Sequence, residues 1–230
     1  MAKHLQREIE NLKKKLLSLG AKVEASVRDA TLSIEKRNAE LAQKIIDDDI
    51  NIDNTEVEIE EDCLKILALH QPVAIDLRFI VAVLKINNDL ERIGDLAVNM
   101  AERAVFLASQ PKLNISIDLV DTARNTQSML KQSLDALINH DVKLAHEVCK
   151  NDDVVDQKNR QMYLKVQEAI LKNPEQISAL IHLLSASRHL ERIADHATNI
   201  AENLVFLVEA KIVAHKKKLE KHKGSEFDQH

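Results

Sequence analysis

The sequence predicts an all-α fold, built as two tandem three-helix bundles related by a pseudo-two-fold axis. Three observations point there. The 230 residues contain only three Gly and three Pro against 45% hydrophobic residues, the composition of long helices joined by few turns. Apolar residues recur at alternating spacings of three and four, as in Val83, Ile86, Leu90, Ile93, Ala97, Met100, Ala104 and Leu107, which is the seam of a helical bundle. A repeat then runs through the chain. Leu90-Glu91-Arg92-Ile93-Gly94-Asp95-Leu96-Ala97-Val98-Asn99-Met100-Ala101-Glu102 returns as Leu190-Glu191-Arg192-Ile193-Ala194-Asp195-His196-Ala197-Thr198-Asn199-Ile200-Ala201-Glu202 at a constant offset of 100. So many identities at one offset mark a duplication.

The elements follow in order. A first helix over 4–36 breaks at Arg37-Asn38, where Asn38 is a good N-cap for a second over 39–70. Pro72 suits the first turn of a third helix over 72–109, and Pro111 behind Gln110 ends it. A fourth over 115–139 stops at His140-Asp141, with Asp141 capping a fifth over 142–172. Pro174 opens a sixth over 175–214. Helices approaching 40 residues run for about 55–60 Å and need partners along their whole length. The second helices also align, Asn38-Ala39-Glu40-Leu41-Ala42 with Asp141-Val142-Lys143-Leu144-Ala145, at an offset of 103. The expected division is 1–110 for the first bundle, 111–215 for the second and 216–230 for a polar tail. Lys216, Lys217, Lys218, Lys221 and Lys223 read there as a solvated, frayed end.

Composition excludes several function classes. A net charge of −5 and only five Tyr and Phe leave neither the basic footprint nor the stacking platforms of a nucleic-acid binder. Met1 to Lys15 is charged throughout and does not read as a signal peptide. No apolar run approaches the roughly 20 residues that span a bilayer, so no direct membrane insertion is expected. Cys63 and Cys149 stand alone, which argues for a reducing compartment and two small buried hydrophobes. There is no Gly-rich phosphate loop, no GxSxG, no HExxH and no Glu-x-x-His beside the acidic stripe, so no enzyme is expected.

The chemistry-bearing pattern is acidic. Asp49/Asp53, Glu91/Asp95, Asp152/Asp156 and Glu191/Asp195 are four i, i+4 pairs, two per half, each on one helix face. Like charges at that spacing cost a helix a few tenths of a kcal/mol when solvated. Two pairs facing each other on adjacent helices would cost more and would call for a cation. Glu91 lies about 100° around the helix from seam residue Leu90, and Asp49 and Asp53 flank Ile50 and Ile52, so all stand at seam edges. Oxygen-only ligands suit Mg²⁺, Mn²⁺, Ca²⁺ or iron. The competing reading is a solvated acidic face. Asn99, Glu102, Asn199, Glu202 and Glu56 extend the stripes as outer ligands. His182, His189 and His196 recur every seven residues, too far apart to chelate one ion, and read as partly exposed polar positions. Gly94 stands where the other half has Ala194. That suits a close helix approach, ligand room or mere drift.

Asp49 to Asp53 with Glu56, Gln71-Pro72-Val73-Ala74-Ile75-Asp76-Leu77-Arg78, Leu90 to Asp95, Asp152 to Asp156 and Leu190 to Asp195 together resemble the PhoU family, over about 10–210. The resemblance implies a cytoplasmic, metal-binding negative regulator of phosphate uptake and of the phosphate-starvation response. It would couple the ATPase subunit of a phosphate ABC transporter to a sensor histidine kinase, with a homodimer as the expected assembly. By that similarity Asp49, Asp53, Glu91 and Asp95 form one metal site and Asp152, Asp156, Glu191 and Asp195 the other, with iron, Mn, Mg or Zn as the ion. The second half departs from the pattern. Lys172-Asn173-Pro174-Glu175 replaces the Gln-Pro segment, and Asn159 and Tyr163 stand where the first half has Glu56 and Glu60, which implies a weaker second site. Other readings are a metal-free helical interaction module, a paralogue with a different regulatory role and a carboxylate-bridged metalloenzyme.

Overall fold

The computed structural model describes residues 2–113 and 119–209. Among them the chain forms α1 (Ala2–Lys36), α2 (Ala39–Asp48), α3 (Ile50–His70), α4 (Ala74–Ser109), α5 (Leu119–Asn139), α6 (Val142–Lys172) and α7 (Ile177–Glu209). The expected helix start at 115, the helix end at 214 and the tail 216–230 lie outside the described residues. The fold is all-α, with α1, α2/α3 and α4 packed as one bundle and α5, α6 and α7 as a second. The two meet mainly through α4 and α7, and also through α1 and α5.

Every residue of the α4 seam named above is buried, and so are Leu190, Ile193, Ala197, Ile200, Leu204 and Leu207 on α7. Each fully buried Leu or Ile contributes about 1.5–3 kcal/mol over an exposed one. Across the junction Asp89 meets His196, Phe106 stacks on His182 and Lys85 lies over Phe206. Rising numbers on α4 meet falling numbers on α7, so the two helices run antiparallel about the pseudo-two-fold. Cys63 is buried and Cys149 half-buried, so only the first is the fully enclosed hydrophobe expected.

The duplication extends to the turns. Arg37 and His140, 103 apart, both adopt left-handed backbone with φ of 54° and 52°. Behind them Asn38 N–H reaches back to Ser33 O at 2.9 Å and Asp141 N–H to Ala136 O at 3.0 Å, closing each preceding helix. The next residue then caps the following helix. Asn38 Oδ1 accepts from Leu41 N, and Asp141 Oδ1 accepts from Lys143 N and Leu144 N. Arg37 also donates to the Ala108 and Gln110 carbonyls, placing a cation at the C-terminus of α4.

Three boundaries differ from expectation. The helix expected over 39–70 breaks at Asp49, where the Ile52 N–H closes a tighter turn on Asp49 O at 2.7 Å. Three successive Asp residues, 47 to 49, make a weak, self-repelling stretch at that point. Pro72 is buried in the α3–α4 corner rather than in a first turn. Gln71 and Ala74 on either side of it have φ of 45° and 49°, and α4 starts only at Ala74. Pro174 opens a single 3₁₀ turn over Pro174–Gln176, and α7 follows.

A polar ladder ties α1 to α3. Glu8 meets His70 at 2.8 Å, Lys15 meets Asp62 at 2.8 Å, and Lys22 meets Thr55 at 2.9 Å. The α1 positions are seven apart, so they share one stripe beside the core. This ladder holds α3 in place against α1 and leaves the opposite edge of α3 to α4.

Candidate metal centres

The first acidic cluster forms where α3 lies along α4. Asp49 sits at the break, Asp53 and Glu56 follow on α3, and Glu91 and Asp95 project from α4. Burial, then the negative charges of Asp53 and Asp95, push the Asp49 carboxyl up to about 6. Burial also raises Glu91, reinforced by Asp95, Glu56 and Asp53 and opposed by Arg92. Glu56 is raised by burial and by Glu60 and Asp53. These mutual influences place all four expected carboxylates, with Glu56 as a fifth, in one electrostatic neighbourhood.

Two oxygens in this cluster are buried without a donor, Asp49 Oδ1 and Asn87 Oδ1, and a third, Glu91 Oε2, makes no hydrogen bond but lies 3.4 Å from Arg92 Nε. Asn87, almost wholly enclosed, donates its amide to the Glu56 carbonyl at 3.0 Å and to Glu56 Oε1 at 2.9 Å, which leaves its own oxygen over. Each such orphan costs about 1–3 kcal/mol. The local chemistry is a surplus of acceptors, which a cation satisfies and an anion does not. Gly94 admits the break to α4. A Cβ there would lie 3.2 Å from Ile52 Cγ2 and 3.7 Å from Asp49 Oδ1, so close approach is its physical reason. Arg92 supplies a partial counter-charge, 3.4 Å from Glu91 and 3.2 Å from Asp95. As they stand, no three metal-ligating groups among the described residues enclose a single ion-sized point.

The second cluster repeats the arrangement with weaker means. Asp156 on α6 faces Glu191 and Asp195 on α7, and Asp152 precedes it by one helical turn. Burial, then Asp195 and Asp156, raise the Glu191 carboxyl, while Arg188 and Arg192 pull it down. The counterpart of the Asn87–Glu56 contact is Ser187 Oγ donating to Asn159 Oδ1 at 2.9 Å. A carboxylate and its amide partner have become an amide and a hydroxyl at the same register.

The remaining expected residues are placed differently. Asn99 donates to the Asp95 backbone carbonyl at 2.8 Å, Glu102 pairs with Arg103 at 3.2 Å, and Asn199 donates to Asp89 at 3.2 Å. The three histidines are partly exposed, as expected, and two of them, His182 and His196, meet α4. His196 donates to Asp89 at 2.9 Å, and His182 stacks on Phe106 with ring centroids 3.7 Å apart. His189 shares a hydrogen bond with Ser185 at 3.2 Å. Burial and the cations of Arg103, Arg192 and Arg188 push the His189 imidazole down to about 4. Sequence reasoning missed Asn87, Ser187 and Asp89. The first two are an offset-100 pair and were open to the same comparison that exposed the carboxylates.

Fold and site together define a class: duplicated helical bundles that carry an acidic cluster in the groove of each half. The PhoU domain family matches residues 16–104 and 119–204, and the chain belongs to that family. It is 39% identical over 179 residues to a "Phosphate-specific transport system accessory protein PhoU homolog" of Aquifex aeolicus, covering 78% of this chain and 81% of that protein. It is 36% identical to homolog 1 of Thermotoga maritima, covering 79% of each. The crystal structure of PhoU from Pseudomonas aeruginosa superposes with a TM-score of 0.88 at 35% identity, over 90% of this chain and 99% of that one.

Proposed function

We propose that the protein is a cytoplasmic accessory regulator of phosphate transport, one that restrains uptake and the phosphate-starvation response. The reading continues that it is a metal-binding adaptor, not an enzyme, between the transporter ATPase and a sensor histidine kinase, working as a homodimer. The relatives' names support the tie to phosphate transport. No helix among the described residues is long and apolar enough to cross a membrane, in keeping with contact to the transporter through a protein partner.

The observation that carries the metal is the pair of orphaned oxygens, Asp49 Oδ1 and Asn87 Oδ1, amid five acidic side chains. Asp49, Asp53, Glu91 and Asp95 would hold the first cation, and Asp152, Asp156, Glu191 and Asp195 the second. Bound there, a hard cation such as Mn²⁺, Mg²⁺ or iron would supply the missing positive charge and Lewis acidity. The chain's own part is to hold α3 to α4 and α6 to α7 so that the carboxylates present one patch to a partner. Isothermal titration of wild type and of Glu91→Ala/Asp95→Ala with each cation tests this. A loss of at least about tenfold in affinity is expected for the variant, and unchanged affinity removes the first site.

Arg92 favours a second reading, in which the acidic groove is itself the docking surface and needs no ion, because it already bridges Glu91 and Asp95. Full capture of the transporter ATPase in excess chelator would support that reading over the first.

A further inference from the structure

The last rung of the α1–α3 ladder differs from the others. Lys15–Asp62 and Lys22–Thr55 each offer one cationic donor to an acceptor of α3. At the third rung one carboxylate serves two imidazoles. Glu8 Oε2 lies 2.8 Å from His70 Nε2, and Glu8 Oε1 lies 3.7 Å from His4 Nδ1. The two rings stand with centroids 5.8 Å apart. His4 and Glu8 are four apart and therefore on one face of α1, and His70 arrives from the last turn of α3.

We propose that His4, Glu8 and His70 form a second kind of metal site, for a borderline cation such as Zn²⁺ or Ni²⁺, outside both acidic clusters. Two imidazoles and one carboxylate are the donor set such ions take, whereas Mg²⁺ and Ca²⁺ demand oxygen alone. Ligands about 2.0–2.1 Å from a tetrahedral zinc stand roughly 3.3 Å from one another; His70 Nε2, 2.8 Å from Glu8 Oε2, is already within that reach, and His4 Nδ1, 3.7 Å from the other oxygen, Oε1, is a few tenths of an ångström beyond it. His70 and Glu8 are set in advance, with side chains only 12% and 21% exposed. The three do not yet enclose an ion, and the closing movement falls on His4, whose side chain is 71% exposed and unhindered by packing. The ion would take the place of the proton shared between Glu8 and His70, leave a fourth position to water, and clamp the start of α1 to the end of α3.

The test is titration of the full chain with Zn²⁺ in millimolar Mg²⁺, which occupies or screens the carboxylate clusters. Wild type is expected to bind Zn²⁺ with micromolar affinity. His4→Gln and His70→Gln should each lower the stoichiometry by one equivalent. His4→Gln alters an exposed side chain, so its fold is safe and its result stands alone. Glu91→Ala/Asp95→Ala should retain that equivalent, so failure of the acidic-cluster reading leaves this one intact. Undiminished Zn²⁺ stoichiometry in His4→Gln, or no Zn²⁺ binding by wild type, overturns the proposal.

Discussion

The two halves share a backbone plan down to the left-handed residues at their first corners, Arg37 and His140, yet their acidic clusters are unequal. The first half breaks its second helix at Asp49, whereas α6 runs unbroken through Asp152. The first half packs Glu56 against buried Asn87, whereas the second packs Asn159 against buried Ser187. The first cluster therefore holds five carboxylates and the second four; in the first the Asp49 carboxyl rises to about 6, and in the second Glu191 is raised against the pull of Arg188 and Arg192. Stability and charge pull against each other at such a site. Where the duplicated copy relaxed the charge, it also relaxed the polar partner. The lesson is that the hydrogen bond was kept while its chemistry changed, which marks the position as structural in one half and as electrostatic support in the other.

The largest difference should appear on removing the buried partner. Asn87→Ala strips Glu56 of a charge-assisted donor and its backbone carbonyl of another, at an expected cost of about 2 kcal/mol. Ser187→Ala removes one neutral hydrogen bond and should cost about 1 kcal/mol or less. Urea unfolding in excess chelator measures both. Equal losses would mean that the polar pair has the same role in each half and would break the comparison.

The next effect concerns pH. Asp49 holds its proton more tightly folded, at about 6, than its ordinary value of 3.8. The folded state is therefore favoured by acid. In cation-free protein this group's penalty is absent below pH 3.8, develops as pH rises toward about 6, and is complete above that. Because the side chain is partly solvated, the penalty is about 1–2 kcal/mol rather than the full value of the shift. Asp49→Asn should accordingly stabilise the cation-free protein by that amount at pH 7 and by little at pH 4. A saturating cation reverses the sign for wild type alone, since it binds the ionised carboxylate. Glu191→Gln, in the second half, where Arg188 and Arg192 oppose the rise of that carboxyl, should move the curve less. Stability curves from pH 4 to 7, with and without Mn²⁺, separate these outcomes.

Much of this was legible in the residues, and for identifiable reasons. The seams on α4 and α7, the N-caps at Asn38 and Asp141 and the paired carboxylates each depend on spacing along one helix, which a sequence displays directly. Asn87 over Glu56, Asp89 over His196 and Glu8 over His70 depend on which faces of separate helices meet. That is set by the antiparallel registers of α3 with α4, of α4 with α7 and of α1 with α3, and no local spacing encodes it. The corner at Pro72 was misread because a proline fits a first helical turn and a buried bend equally well. Only its packing decides between them.

The smallest effect asks whether the halves compensate residue by residue. Gly94 faces Ile52 in the first half, and the equivalent residues of the second, Ala194 and Val155, are both fully buried. One methyl has in effect moved from one helix to the other. Gly94→Ala gains about 1 kcal/mol of helix propensity, but its Cβ, at 3.2 Å from Ile52 Cγ2, forces that side chain to yield. Ile52→Val alone opens space and should cost about 0.5–1.5 kcal/mol. The double variant rebuilds the pairing of the second half and should be more stable than the sum of the single changes by roughly 1 kcal/mol. A double-mutant cycle by thermal unfolding reads this coupling directly. A coupling near zero would mean that Ile52 has room to spare. Gly94 would then be retained for space beside Asp49 Oδ1 rather than for packing, and Gly94→Ala should weaken cation binding while leaving the fold unharmed.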